Sequence, residues 1–173
     1  MVTLLFSFFR MTWKSHKLIT FAVVWAFTHN FFYSIIASLG SIIPDILEGK
    51  IFLFDFQKWK RLHRTYSHWF IPYVIIFIVS FFSINEKTFY LMKNDFLFFP
   101  NKESGLNAFI FSALSLGCLM HILEDAISGK VPLLHPKRKT FGIKLIRTRS
   151  LLEYLFAFSV ALLIFVFKYF ITS

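Results

Sequence analysis

Two long stretches without a single Asp, Glu, Lys or Arg constrain the fold of this chain more than any other feature. They run from Tyr66 to Asn85 and from Ser104 to Leu123. A helix needs about 20 consecutive apolar residues to cross the hydrocarbon core of a bilayer, and each stretch is long enough. A third run, Leu151 to Tyr169, is also long enough and has Glu153 near its edge. The three runs predict membrane-spanning helices.

The overall composition supports the same interpretation. Apolar residues make up 57% of the chain and charged residues only 16%, whereas soluble domains average about half and about a quarter. A net charge of +10 could suggest nucleic-acid binding. However, the basic residues cluster at the ends of apolar runs, which is typical of the positive-inside pattern of membrane proteins. We therefore expect membrane lipids, and no nucleic acid, as partners.

Charge also predicts which loops face the cytoplasm. The loops Glu48 to His68 and Gly129 to Ser150 are rich in Lys and Arg, whereas Asn85 to Glu103 carries balanced charges. The first two should be cytoplasmic and the third should face outward. We expect one integral membrane domain over residues 1–173, with residues 1–14 as an interfacial segment.

The uncharged run from Leu18 to Pro44 has two interpretations. It is either one tilted helix, or two short helices with His29 and Asn30 at the turn between them. One straight helix would place His16 and Asp45 roughly 43 Å apart, on opposite membrane faces. A hairpin returns Asp45 to the side of His16, and the basic N-terminus favours a cytoplasmic start. The prediction is an all-α, polytopic transmembrane bundle of about five membrane helices, including this short N-terminal hairpin.

Residue types that ligate metals occur near the predicted membrane boundaries. His121 and Asp125 are four residues apart, so on a helix their side chains lie on one face. Imidazole nitrogens and carboxylate oxygens are normal ligands of Zn²⁺ and related ions. Six ligands exceed the need of one tetrahedral site, so we expect one or two divalent ions, Zn²⁺ first and Mn²⁺ or Fe²⁺ as alternatives, with an Asp such as Asp45 as a bridge. The six candidate ligands are His16, Asp45, His63, His68, His121 and Asp125.

Other polar residues have simpler interpretations. His29 and His135 are expected to be amphipathic residues at the interface. Glu124 is interpreted as a helix cap or a solvated helix end. Glu153 either completes a capping box at the start of its helix or has a functional role. The single cysteine, Cys118, lies in an apolar run and is expected to be a packed thiol.

Several motifs occur in order along the chain: "SHKLITFA", "LGSIIPDILE", "HRTYSH", "LSLGCLMHILEDAISGKVPLLHP" and "RSLLE". Together they resemble the YdjM-like family of LexA-regulated, membrane-bound, metal-dependent hydrolases. The order of His and Asp ligands is also similar to that of zinc-dependent phospholipase C. The resemblance implies an enzyme of the prokaryotic inner membrane. Its phospholipase-like activity would hydrolyse a lipid or lipid-linked phosphoester at the cytoplasmic face.

The chain departs from the family at two motifs. Where the family has P-D-I-D-H, this sequence has P-D-I-L-E, so Glu48 stands in place of the His. Where the family has H-R-G-x-T-H, this sequence has H-R-T-Y-S-H. We predict Asp45, Glu48 and Arg64 as catalytic residues, with Glu48, which could also coordinate the metal, as the candidate base. Arg64, Lys130 and Arg149 would bind phosphate oxygens.

Two non-catalytic alternatives remain. The His and Asp residues could relay protons or ions across the membrane. The chain could instead be a degenerate family member with a structural metal or a docking role. A relay needs polar groups at successive depths, whereas the candidate ligands are predicted on one face, which favours the enzyme.

Overall fold

Six α-helices and one short two-stranded sheet form the part of the chain that this computed structural model describes, residues 12–54, 64–84, 105–143, 145 and 150–172. A 3₁₀ turn, Tyr66–His68, precedes the fourth helix. The elements are α1 (Trp13–Thr28), α2 (Phe31–Gly40), α3 (Ile43–Phe54), α4 (Phe70–Phe82), α5 (Gly105–Ser128), β1 (Val131–Pro132), β2 (Lys139–Phe141) and α6 (Leu151–Thr172).

Three helical segments are long and apolar enough to cross a membrane. They are Phe31–Gly49, Gly105–Ser128 and Leu151–Phe170, and α4 is a shorter apolar helix. Because only a two-residue turn separates α2 from α3, the two helices act as one membrane segment. Counted in this way, the described residues contain five helical segments. The predicted all-α membrane bundle is confirmed.

The N-terminal hairpin is also confirmed, and the alternative of one tilted helix is wrong. Helix α1 ends at Thr28, and His29 adopts a left-handed conformation with a φ of 54°. Histidine is among the residues that tolerate this conformation better than most. The Asn30 side chain then accepts a hydrogen bond of 2.7 Å from the backbone N–H of Tyr33 and caps α2. The chain therefore reverses direction where the sequence predicted.

Small residues bring α2 and α5 into backbone contact. A Cβ atom added at Gly117 would clash with the carbonyl of Ala37, and one at Gly40 would clash with the carbonyl of Leu114. Close approach through small residues is the common way in which membrane helices pack. The Cys118 thiol donates to the Gly40 carbonyl at 3.4 Å, so its predicted role as a packed thiol is confirmed. This crossing places the start of α3 beside the C-terminal half of α5.

Three small clusters of buried apolar residues support this arrangement. The largest fills the space between α1, α2 and α5, a second joins α1 to α6, and a third lies between α5 and β1. The clusters are Val24, Tyr33, Ala37, Phe109 and Ala113; Ile19 and Ala157; and Ile122, Ala126 and Val131. The outer face of α6 exposes large apolar side chains, as expected for a helix that faces lipid.

Several boundaries differ from the predictions. Helix α5 continues to Ser128, and α3 occupies the first part of the predicted Glu48 to His68 loop. The basic loop Gly129 to Ser150 contains an antiparallel pair of strands that the sequence did not predict, with Val131 opposite Phe141. The predicted outward loop, Asn85 to Glu103, lies entirely outside the described residues. Residues 1–11 of the predicted interfacial segment lie outside them as well.

Candidate metal centre

Five of the six predicted ligands converge at one end of the bundle, and each is at most 3% exposed. They form two overlapping groups that share His121: His16, His121 and Asp125 form one group, and Asp45, His68 and His121 form the other. Within each group the candidate ligand atoms lie within 4.8 Å of one another. The sixth predicted ligand, His63, lies outside the described residues.

The helices explain this convergence. His16 lies in the first turns of α1, and the α1–α2 hairpin returns the chain so that Asp45 lies near the start of α3. His121 and Asp125 occupy successive turns near the end of α5. His68 ends the 3₁₀ turn before α4. Four separate elements thus contribute buried donors to one place.

The distances between donor atoms suit a single small cation. The Nε2 atoms of His68 and His121 are 3.1 Å apart, and Oδ2 of Asp125 lies 3.3 Å and 3.8 Å from them. Oδ1 of Asp45 lies 3.8 Å and 4.0 Å from the same two nitrogens. In a tetrahedral zinc site with bonds of about 2.0 to 2.2 Å, neighbouring donors lie roughly 3.3 to 3.6 Å apart. The observed donor separations run from 3.1 to 4.0 Å and so include this range.

His16 approaches the same cluster from the other side of His121. The two imidazole rings have centroids 4.1 Å apart. Nε2 of His16 lies 3.8 Å from Oδ1 of Asp125. Asp125 therefore faces His16 through one oxygen and the His68–His121 pair through the other.

The indole of Trp13 orients Asp45, the residue predicted to bridge two ions. Oδ2 of Asp45 accepts a hydrogen bond of 2.9 Å from the indole N–H of Trp13. The two oxygens of Asp125 face different histidines, so Asp125 is a second candidate for a bridge, and the bridging role of Asp45 stays a prediction. Sequence reasoning did not identify Trp13, because the predicted hairpin places both helix starts on one membrane face without showing which side chains meet.

A buried carboxylate holds the other nitrogen of His16. Nδ1 of His16 lies 2.5 Å from Oε2 of Glu124, and Oε1 of Glu124 accepts a hydrogen bond of 3.0 Å from the Thr20 hydroxyl. Glu124 is only 3% exposed, so its interpretation as a cap or solvated end is wrong. Metal-bound histidines usually donate their second ring nitrogen to such a carboxylate, which leaves Nε2 for the metal. The only signal in the sequence was a carboxylate one turn after His121.

Glu48 has the same relation to His68. Oε1 of Glu48 lies 3.0 Å from Nδ1 of His68 and accepts hydrogen bonds from the Ser67 hydroxyl and, at 2.9 Å, from the backbone N–H of Arg64. The Ser67 hydroxyl is also 2.9 Å from Nδ1 of His68. This geometry favours Glu48 as a residue that positions His68 over its predicted role as a base.

The charges around His68 affect its protonation. Burial disfavours the imidazolium, but hydrogen bonds and charge interactions with Asp125 and Glu48 outweigh burial and raise the pKa of His68 to about 9. At neutral pH this imidazole holds a proton that a cation would have to displace.

Arg64 balances the charge of Asp125 rather than presenting a free fork to a phosphate. Its Nη2 donates to Oδ1 of Asp125 at 2.8 Å and to the Ser128 hydroxyl at 3.1 Å. A Cβ atom at Gly129 would clash with its guanidinium, so the glycine provides the space for it. Nε of Arg64 is buried and has no hydrogen-bond partner among the described residues.

The other predicted phosphate ligands contribute less to the described site. Lys130 is exposed beside Gly129, and Arg149 lies outside the described residues. Sequence reasoning did not single out Lys139, whose ammonium group interacts electrostatically with Arg64 and Glu48. Partial burial and then the positive charge of Arg64 lower its pKa, whereas Glu48 raises it. The sequence showed only a run of basic residues in which Lys139 was one of three.

Glu153 has a structural position outside the donor cluster. The Ser150 hydroxyl accepts a hydrogen bond of 3.3 Å from the backbone N–H of Glu153, as in a helix cap. The Glu153 carboxylate accepts hydrogen bonds from the backbone N–H of Thr12 at 2.6 Å and from the Ser15 hydroxyl at 2.8 Å. It therefore joins the start of α6 to the start of α1. His135 is exposed, in line with its simpler interpretation.

A family model described as YdjM inner membrane protein matches residues 11–172. The chain belongs to this family. The resemblance inferred from the motifs is confirmed, and with it the location in the inner membrane. No curated protein and no solved structure matches the chain.

The two departures from the YdjM motifs meet in the structure. Glu48, which stands where the family has His, accepts a hydrogen bond from Ser67, which stands where the family has Thr. Both lie on the Nδ1 side of His68, away from the cluster of Nε2 atoms. The departures therefore change how His68 is held and leave the five described donors in place.

Proposed function

We propose that this chain is a membrane-embedded, metal-dependent hydrolase of a lipid or lipid-linked phosphoester. The observation that carries the proposal is the orientation of two buried imidazoles. His16 and His68 turn Nδ1 toward the carboxylates of Glu124 and Glu48, and Nε2 toward the shared donor cluster. The metal ligands in this proposal are His16, Asp45, His68, His121 and Asp125, holding one or two divalent ions, with Zn²⁺ first.

The donor separations support a cation over a purely hydrogen-bonded cluster. Hydrogen bonds between nitrogen and oxygen are about 2.7 to 3.2 Å long. Several pairs in the cluster, such as His68 with Asp45 at 3.8 Å and His121 with Asp45 at 4.0 Å, are longer than this. Such spacing suits donors that share a cation between them. Burying several charged groups otherwise costs free energy that only close pairing offsets.

The chemistry of the site suits phosphoester hydrolysis. A divalent ion held by His16, Asp45, His68, His121 and Asp125 would supply Lewis acidity toward a phosphoryl oxygen and would lower the pKa of water toward neutrality. Glu124 and Glu48 hold His16 and His68 in one orientation, so the ligand geometry is fixed before substrate arrives. Arg64 offsets the charge of Asp125 beside the donors.

The location of the site supports a lipid substrate. The donors lie where α1 begins and α5 ends, which is the cytoplasmic end of the bundle by the charge of the adjoining loops. A lipid can present its phosphate at this level while its acyl chains remain in the bilayer. Such a site suits a lipid better than a soluble metabolite.

The first experiment is elemental analysis of protein purified in detergent. We expect one or two equivalents of zinc, manganese or iron in the wild type and in His135→Ala, which removes an exposed histidine outside the cluster. The double variant His121→Ala/Asp125→Ala should lose the metal. A panel of phospholipids and lipid-linked phosphates then tests for release of phosphate or of a headgroup. A metal-free wild type that takes up none on reconstitution would contradict the proposal.

A structural metal site is the second candidate, because the five donors are at most 3% exposed. Structural zinc sites are closed by protein ligands, whereas catalytic sites keep a position for water. A structural ion predicts that chelation lowers the melting temperature and that no substrate in the panel is hydrolysed. A hydrolase predicts turnover that His121→Ala/Asp125→Ala abolishes. Lack of metal together with proton movement in vesicles would instead support a relay.

A further inference from the structure

Four large apolar side chains are exposed on the segment that joins α5 to α6. The exposed fractions are 75% for Leu134, 46% for Phe141, 71% for Ile143 and 69% for Leu145. This segment lies outside the membrane-spanning helices, and between Gly129 and Ser150 it carries Lys and Arg but no acid. A loop in water would not be expected to expose so much apolar surface in so few residues.

Backbone contacts hold the last part of this segment against the end of α5. The backbone N–H of Ile143 donates to the Ala126 carbonyl at 2.9 Å, and that of Leu145 donates to the Ile127 carbonyl at 2.7 Å. Both carbonyls belong to the last turn of α5, which ends at Ser128. The backbone at Ile143 and Leu145 is therefore fixed, while both side chains are exposed.

The starts of two neighbouring helices also carry residues typical of a membrane interface. The indole N–H of Trp69, directly before α4, donates to the Leu134 carbonyl at 3.2 Å. Leu151 and Leu152, in the first turn of α6, are 75% and 68% exposed. Because α4 is a short apolar helix and α6 is long enough to cross the membrane, we expect both helix starts near the level where the hydrocarbon layer begins. Trp at such a level is typical of membrane interfaces.

Basic side chains accompany the apolar ones. Lys137, Arg138 and Lys139 are exposed at and after the turn between β1 and β2. Anionic headgroups attract basic residues near the membrane surface, and apolar side chains beside them insert at the boundary of the acyl chains. Together these features match the chemistry of an anionic lipid interface.

We propose that residues 129–143 together with Leu145, here called the basic hairpin, dock on the anionic lipid surface of the bilayer that holds the protein. Leu134, Phe141, Ile143 and Leu145 insert below the headgroups, while Lys137 and Arg138 contact lipid phosphates. The proposal does not depend on hydrolase activity. It does connect the lipid surface to the donor cluster, because Gly129 begins the hairpin and contacts Arg64.

Spin-label accessibility tests the docking directly. Cys118→Ala removes the single thiol, and one cysteine is then introduced by Leu134→Cys, Ile143→Cys or Leu145→Cys, with Lys137→Cys as the matched control. Each labelled protein is reconstituted in vesicles of phosphatidylcholine with or without phosphatidylglycerol. Power saturation with oxygen, which concentrates in lipid, is compared with a water-soluble nickel chelate. Circular dichroism and gel filtration confirm that each variant keeps the helical content of the parent.

We expect the labels at positions 134, 143 and 145 to be more accessible to oxygen than to nickel, and the label at position 137 to show the reverse. The difference should grow when phosphatidylglycerol is present and shrink when Lys137→Gln/Arg138→Gln is combined with Ile143→Cys. Nickel accessibility at position 143 equal to that at 137 would overturn the proposal. Shielding from both reagents would also overturn it, since another protein surface would then cover the hairpin.

Discussion

The carboxylate behind His16 gives the sharpest test of the metal centre. Glu124 and His16 are at most 3% exposed, and Oε2 of Glu124 lies 2.5 Å from Nδ1 of His16. Glu124→Gln keeps the volume of the side chain and an oxygen that can accept from Nδ1–H. It removes the negative charge that strengthens the imidazole as a ligand. The variant therefore separates the electrostatic contribution of Glu124 from its packing.

The expected loss of metal affinity follows from what is known of carboxylates that hold metal-bound histidines. Removing a carboxylate that holds a metal-bound histidine typically weakens metal affinity by about 10- to 100-fold. This corresponds to about 1.4 to 2.7 kcal/mol of binding free energy. Because Gln retains a hydrogen bond, we expect Glu124→Gln near the lower value. Glu124→Ala, which also leaves Nδ1 of His16 and the Thr20 hydroxyl without this partner, should lie near the upper value.

The assay is a zinc titration in detergent against a fluorescent chelator of known affinity. Glu153→Gln is the matched control, because Glu153 is an equally buried carboxylate that accepts hydrogen bonds from Thr12 and Ser15 at the start of α1. We expect its zinc affinity to equal that of the wild type. Equal zinc affinity in Glu124→Gln and wild type, with a lower melting temperature for the variant, would refute the argument. Glu124 would then stabilise the fold without tuning the ligand.

Three further predictions follow. Gly117→Val should prevent α2 from contacting α5 and lower the melting temperature far more than Cys118→Ala next to it; equal melting temperatures would contradict the backbone contact. Because the pKa of His68 is raised from 6.5 to about 9, protons compete with metal at neutral pH. Zinc affinity should therefore rise from about pH 6 to about pH 9, and a profile that is flat above about pH 7 would contradict a proton held by His68 at neutral pH. Glu153→Gln should cost about 1 to 3 kcal/mol of unfolding free energy, measured by denaturant titration, with unchanged metal content.

The membrane helices could be predicted because hydropathy acts over whole segments. A run such as Ser104 to Leu123 has to form a helix in a bilayer, where backbone groups find no water. The hairpin could be predicted because His16 and Asp45 can ligate one metal site only if both lie at the same membrane face. His29 and Asn30 are residues suited to the turn that this requires. The end of α5 was placed too early, since charged residues there were taken to mark the membrane boundary. They are instead buried against other helices.

The partners of the histidines could not be predicted, because they depend on which helix faces meet. Glu124 lies 108 positions from His16 in the chain, and no local pattern links the two residues. A Glu near the C-terminal end of an apolar helix is usually solvated, so its burial follows only from the packing of α1 against α5. The indole of Trp13 on Asp45 is hidden for the same reason. Sequence reasoning thus identified candidate donors but not the residues that orient them.

The altered P-D-I-L-E motif shows how the structure changes the meaning of a sequence departure. Asp45 and Glu48 are three residues apart on α3, so both face the donor cluster and its surroundings. Leu47, where the family has its second acid, is 59% exposed and so lies on a different face of the helix. The missing acid therefore takes no ligand from the described cluster. The other change, Glu48, holds His68 from behind. The five described donors are therefore present despite the departure, and elemental analysis of the wild type tests whether they bind metal or whether this chain is a degenerate member of its family.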